Sequence, residues 1–247
     1  MTHQEGGHDS AGTPWAGRTL PTGDFAGDDG APDAGLVSAL GQVRMGFADD
    51  RVVIDALAAA RLFVPVVAVL GEQGETAHGV SDKQADMALV TLTGPDGRRA
   101  LPVFSSLDAL AAWNPQARPV PVQARRAAIS AVAEECDLMV LDPAGPTTYV
   151  VSRPAMWAVG AGRPWTPAHV DPEVVAEVGV AVAGLPDVVT FRTEPGVEVQ
   201  LTVVLVLRPG MVPEQVQAVA GDVGARLQTS DLVRERVDGI ALRVSPD

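Results

Sequence analysis

The stretch from residue 87 to 104 narrows the possible folds most. Residues 87–93 and 98–104 are two β-prone runs on either side of Gly94-Pro95-Asp96-Gly97, a sequence suited to reversing the chain sharply. Strands joined so closely pair antiparallel. A second pair, residues 188–193 and 197–207, surrounds Glu194-Pro195-Gly196. Hairpins interspersed with amphipathic helices argue against a doubly wound parallel sheet. They predict an α+β fold, with two small mixed or antiparallel sheets and helices packed on them.

The remaining segments fill in this outline. Residues 33–42 read as a helix, and Asp49-Asp50 caps another, with Ile54, Leu57 and Ala58 on one face. Residues 63–70 form a β-branched strand in which Pro65 belongs at the start or at an edge. Ser105 and Asp108 supply an S-x-x-D cap for a short helix ending at Trp113. Prolines keep residues 115–121 extended, and residues 123–135 are helical, with Ile129, Val132, Ala133 and Cys136 as the apolar stripe. Strands at 138–141 and 148–151 flank a turn in which Asp142, ahead of Pro143, is the Asx-turn residue. A brief helix at 154–159 closes this half. Beyond it, Asp171-Pro172-Glu173 is a fresh helix start, with a cap, a proline at the first position and acid in the first turn. Pro213 opens a helix carrying Val216, Val219, Ala220, Val223 and Leu227. Ile240, Leu242 and Val244 alternate in a last strand. Val204 and Val206 imply that the strand before that helix is covered on both faces. The expected organisation is a disordered acidic head at 1–33, an α+β domain at 34–160, a Gly/Pro linker at 161–170 and an α-β-β-α-β domain at 171–247. Hydrophilic residues 71–86 read as a mobile loop.

Charge and composition restrict function. Eighteen basic against thirty-one acidic side chains give −13, with a pI near 4.6. Such a field repels phosphate backbones and anionic lipid, so neither nucleic acid nor a membrane surface is the expected partner. Residues 62–70, the longest apolar run, fall short of the ~20 needed to span a bilayer. No basic start leads into an apolar run, and a single cysteine fits a reducing compartment, so a cytoplasmic location is expected. Cys136 follows a helix beside Glu134, Glu135 and Asp137, a field that raises its pKa, and reads as structural. His3, His8, His78 and His169 lie in the head, loop and linker without zinc-ligand spacing, so no metal site is expected. With no histidine in the framework, Ser-His-Asp or Cys-His catalysis is not expected either. Gly160-Ala161-Gly162 follows a helix rather than a strand and lacks the third glycine of a dinucleotide fingerprint, so no cofactor is expected.

Six side chains stand out as interaction candidates. Arg98, Arg99, Arg125 and Arg126 all fall in the first domain. They are either one cationic patch for an acidic partner or solvated residues paired with the excess acid. Trp157 and Trp165 flank the linker. They either lock the two domains together or form an aromatic contact point for a partner. The leading expectation is therefore a non-enzymatic protein that acts on an unidentified protein partner. The rival is a small-molecule sensor or enzyme with an inter-domain cleft lined by Arg98, Arg125 or Arg126.

The segment Met87-Ala88-Leu89-Val90-Thr91-Leu92, followed by Gly97-Arg98-Arg99-Ala100-Leu101-Pro102-Val103-Phe104-Ser105-Ser106-Leu107-Asp108-Ala109-Leu110-Ala111-Ala112-Trp113, resembles the N-terminal domain of the SseB family. So do Arg118-Pro119-Val120-Pro121-Val122 and Asp137-Leu138-Met139-Val140-Leu141-Asp142-Pro143-Ala144-Gly145. The resemblance extends over residues 51–162, and residues 171–247 look like the C-terminal domain of some members. It implies the architecture above. The family is named for a serine-sensitivity phenotype, and the resemblance brings no catalytic set with it.

Overall fold

A polar side chain starts the first helix. In a computed structural model, which describes Phe25 and residues 27–70, 85–196 and 199–246, α1 (Ala34–Arg44) begins where Asp33 Oδ1 accepts the Leu36 N–H at 2.9 Å. The head up to residue 24 and residues 71–84 of the expected loop lie outside the described residues. Phe25 and residues 27–30 make a turn, closed by the Asp28 N–H on the Phe25 carbonyl at 3.0 Å. Ala31–Asp247 is a compact unit of its own. At α2 (Arg51–Ala59) it is Asp49, not Asp50, that accepts the Arg51 N–H. The buried side of α2 is Val53, Ile54 and Leu57, while Ala58 faces water.

The fold is α+β, but the first of the expected sheets is two sheets. In one, β1 (Arg61–Leu70) lies between β2 (Ala85–Leu89) and β5 (Arg118–Gln123), all antiparallel. The other runs β3 (Leu92–Thr93), β4 (Arg99–Val103), β6 (Leu138–Leu141) and β7 (Tyr149–Val151), with β4 and β6 parallel. The expected turn is present: the Gly94 N–H donates to the Arg98 carbonyl at 2.8 Å, and Gly97 takes φ 82°. The arm before it divides. Leu92 and Thr93 pair with β4, whereas Ala85–Leu89 crosses to β1. β5 pairs with β1 as far as Val66, and β2 pairs from Val66 onward along the other edge, the edge of the Phe104 bridge.

Phe63 joins the sheets. Its N–H donates to the Phe104 carbonyl at 2.8 Å, and the Phe104 N–H donates back at 2.9 Å. Pro65, expected at a start or an edge, therefore sits inside the central strand, for a local reason. Residues 63 and 65 present their backbone groups to the same side. Pro65 falls between the Phe104 bridge and the first β2 pair, Val66 with Leu89, and offers only a carbonyl, which Val90 meets at 3.4 Å. The same alternation governs β5. Val122 and Val120 face Leu62 and Val64 across the ladder, which turns the nitrogens of Pro119 and Pro121 to the open side.

Phe104 is fully buried, its ring centroid 5.2 Å from that of Trp113 in α3 (Leu107–Trp113). Helices α4 (Ala124–Ala133) and α5 (Arg153–Ala161) pack over the sheets. The expected stripe on α4 is corrected here. Ala124, Ala127, Ala128 and Ala131 are buried, while Ile129 and Val132 are about half exposed. Both stripes have helical spacing, and the alanine one allows α5 to approach closely, with Gly160 beside Ala128.

The C-terminal part has its own core. In α6 (Pro172–Val182) Asp171 accepts from the Glu173 and Val174 N–H groups. β8 (Val188–Pro195) pairs antiparallel with β9 (Leu201–Leu207). The chain returns through α7 (Pro213–Thr229) and α8 (Asp231–Arg236) to β10 (Ile240–Pro246), which lies parallel to β9. Leu201, Val203, Leu205 and Leu207 meet Val174 and Val178 of α6 and Val223 and Leu227 of α7 in this core. On the opposite face Val204 is fully buried. Its cross-strand neighbours are Arg192 and Arg243, and Glu194 accepts from both guanidinium groups. Two arginine stems joined by one carboxylate thus cover a valine.

Two outcomes follow. Phe104→Ala should lower unfolding free energy by about 3–5 kcal/mol, the range for truncating a buried ring, measured by urea titration. The Glu194 carboxyl is held below its usual range, first by its hydrogen bond from Arg192 and then by Arg243. A depressed folded pKa gives stability that is present above the unfolded value and lost as pH falls through the folded one. Glu194→Gln should therefore lower the thermal midpoint at pH 7, and the difference should vanish once pH is below the folded pKa.

Candidate functional site

Three places gather side chains able to bind something. The first is a buried polar pair. The helix cap expected at Ser105 belongs to Ser106, whose Oγ accepts the Ala109 N–H at 3.0 Å. Ser105 serves Asp142 instead: its N–H and Oγ–H donate to the two carboxylate oxygens at 2.8 and 2.7 Å. Asp142 is consequently not an Asx-turn residue. Its side chain is buried and its backbone is left-handed, φ 48°, followed by Ala144 at φ 64°. The pair ties the corner after β4 to the corner after β6. Beside it lies an apolar groove of about 330 Å³ between α1, α3 and the 142–147 loop.

The second place is the seam between the two cores. Asp238, in the turn before β10, lies 3.5 Å from Arg98 Nη1 and 3.6 Å from Arg153 Nε. Gln200 donates to Ser152 Oγ at 3.2 Å and accepts the Asp238 N–H at 2.9 Å. A cavity of about 490 Å³ opens here, lined by Asp50, Tyr149, Trp165 and His169 among others. Burial, and then the Asp50 carboxylate, push the Tyr149 hydroxyl far above its ordinary range, so it stays protonated. Of Arg98, Arg125 and Arg126, Arg98 lines this cleft. Its hydrogen bond to Asp96, at 2.6 Å, raises its pKa further.

The third place is the outer face of α4 and α5. Ile129 is 52%, Val132 45% and Trp157 47% exposed. Arg125 and Arg126 stand in the first turn of α4, and Arg125 Nε donates to the Gly160 carbonyl at 3.1 Å. Next to Trp157 is a pocket of about 280 Å³ whose walls include Pro154, Arg163, Pro164, Trp165 and Arg236.

The candidate arginines are thus divided. Arg98 lies at the seam. Arg99 lies beyond the far end of α4, its N–H on Asp137 and its guanidinium 3.9 Å from Glu135. Arg125 and Arg126 are at the opposite end of that ten-residue helix, about 15 Å away at 1.5 Å per residue. The tryptophans are divided too: Trp165 is in the first core and Trp157 is half in water. Ile129 and Val132 were missed as surface residues because their spacing is as helical as that of the alanines. Cys136 is buried. Desolvation raises its thiol pKa, Glu134 and Asp137 add to the effect, and Arg99 opposes it. Among the described residues no three His, Cys, Asp or Glu side chains gather as metal ligands. No described helix is long and apolar enough to cross a membrane.

Residues 36–158 match the family model of the SseB protein N-terminal domain. The match starts within α1 and ends within α5, and so encloses both N-terminal sheets. The chain belongs to the SseB family. No curated protein and no solved structure matches it.

Ser105→Ala strands a buried carboxylate oxygen and should cost about 1–3 kcal/mol. Ser105→Ala combined with Asp142→Ala should cost less than the sum of the two single changes. Denaturant titration of the four proteins measures both effects.

Proposed function

We propose that this SseB-family chain is a non-enzymatic cytoplasmic protein that binds another protein through the outer face of α4 and α5. One observation carries the reading: Trp157, Ile129 and Val132 leave about half their surface in water beside Arg125 and Arg126. An aromatic and arginines around an apolar strip are the residue types enriched in protein–protein contacts. Met45 and Phe47 are also exposed, but Arg44 and Arg51 offset Asp49 and Asp50 around them, so that edge carries no net charge to select a partner. The partner is a protein rather than a nucleic acid. Salt screens charge beyond ~8 Å, so a local patch is felt at contact, whereas a polynucleotide extends past it onto the surrounding carboxylates. Residues 171–247 serve as an SseB-like C-terminal domain.

Affinity capture from native lysate tests the reading. Trp157→Ala, and separately Arg125→Glu with Arg126→Glu, should remove the same captured protein, with a stability change of about 0.5 kcal/mol or less from Arg126 and about 1 kcal/mol from Arg125, which also holds the Gly160 carbonyl. Capture that is unchanged in both variants overturns it.

A further inference from the structure

The same surface has a shape and a charge that specify its occupant. Resting on the reading above, we infer that the face takes an acidic amphipathic helix of the partner, anchored by one large apolar side chain beside Trp157.

The geometry supplies the helix. Gly160 lies against Ala128 and Ile129, while Arg125 reaches the Gly160 carbonyl, so α4 and α5 run antiparallel. Trp157, three residues before Gly160, is on the same side of α5 one turn back, level with the next turn of α4, where Val132 is. From Arg125 to Val132 is seven residues, about 10 Å of helix or two turns. A partner helix with apolar residues at i, i+3 or i+4, and i+7 presents a strip of that length.

The pocket supplies the anchor. At about 280 Å³ it is at the small end of small-molecule and cofactor sites, which run ~300–1,000 Å³. Its size suits a single side chain. Pro154, Ala158, Pro164 and Trp165 give it apolar walls. Two of its charged members satisfy each other: Arg236 Nη1 is 3.0 Å from Asp171, and Nη2 is 2.7 Å from Glu173.

The charges supply the sign. Among the described residues Arg126 and Arg163 are exposed and have no carboxylate within ion-pair distance, although the chain carries thirteen excess negative charges. Arg125 gives its Nε hydrogen to a carbonyl, not to an acid. Glu235, on the pocket's other rim, is exposed as well. The acidic residues of the partner therefore lie over the first turn of α4, away from the exposed Glu134 and Glu135 at its other end, and its anchor points toward α5.

The test is a random-peptide display selection on the full chain, counter-selected on Trp157→Ala, followed by binding of the enriched soluble peptides. Expected are peptides with helically spaced apolar residues, one of them large, and at least two acidic residues. Binding should weaken about tenfold or more in Trp157→Ala, in Ile129→Glu and in Arg125→Glu with Arg126→Glu. Arg208→Glu, an exposed change elsewhere, should leave it intact. Neutral or basic winners, no enrichment, or equal loss in Arg208→Glu overturns the inference. So does a concentration-dependent dimer abolished by Trp157→Ala, which would seat a second copy of the chain on the face. If lysate capture still depends on Trp157 while no acidic peptide binds, the inference falls and the contact surface stands. If capture ignores Trp157, the contact surface itself falls.

Discussion

The N-terminal architecture depends on one pair of residues, Phe63 and Phe104. Their two backbone hydrogen bonds are an isolated bridge between sheets that otherwise share no ladder. Net contributions near 1 kcal/mol per bond do not fix such a junction alone. Burying the Phe104 ring adds about 1.5–3 kcal/mol, and only in this register does the ring reach the space beside Trp113. A slip by one residue would turn Phe104 outward and Val103 toward it. The ring selects the position and the hydrogen bonds set the angle. Arg61 reinforces the choice from outside, with its guanidinium 4.1 Å above the Phe63 ring and Nη1 on the Ser105 carbonyl at 2.8 Å. Everything after Phe104 inherits this placement: Ser105 reaches Asp142, Ser106 starts α3, and the loop after β6 is held in its left-handed path.

The chain changes cores within three residues. Trp165 packs in the first cluster and Ala168 in the second. The ion pairs of Asp238 across the seam are long, and their arginine partners are more than 40% exposed. Such pairs contribute little stability. They orient the turn before β10 against the 94–98 turn.

Much of this was legible in the sequence because local chemistry and fold agree. Asp171-Pro172-Glu173 is a helix start by composition, and it is one in space. The Gly94–Gly97 turn forms as its residues dictate. The misreadings share a cause: local patterns do not say which of two equally spaced faces meets a neighbour. On α4 the alanine stripe won because α5 needed close approach. At Ser105 a cap-like motif was overridden by a carboxylate thirty-seven residues away. The strand arm at 85–93 divided because β1 runs on past the Phe104 bridge and leaves that same edge open to Ala85–Leu89, a property of distant segments. The candidate site was legible as residue types, Arg125, Arg126 and Trp157, but not as a place. Ile129 and Val132 complete it only once their helix is known to face outward.

The prolines of β5 have a consequence for how this molecule meets others. A sheet edge recruits foreign strands by offering a row of free N–H and C=O groups. With Pro119 and Pro121 turned outward, β5 has no donor at two successive outward positions, in a strand of six residues. That margin is closed to strand exchange and to templated fibril growth. The proline repeat, which in the sequence only marks extended chain, keeps a neighbouring molecule from extending the sheet on this side.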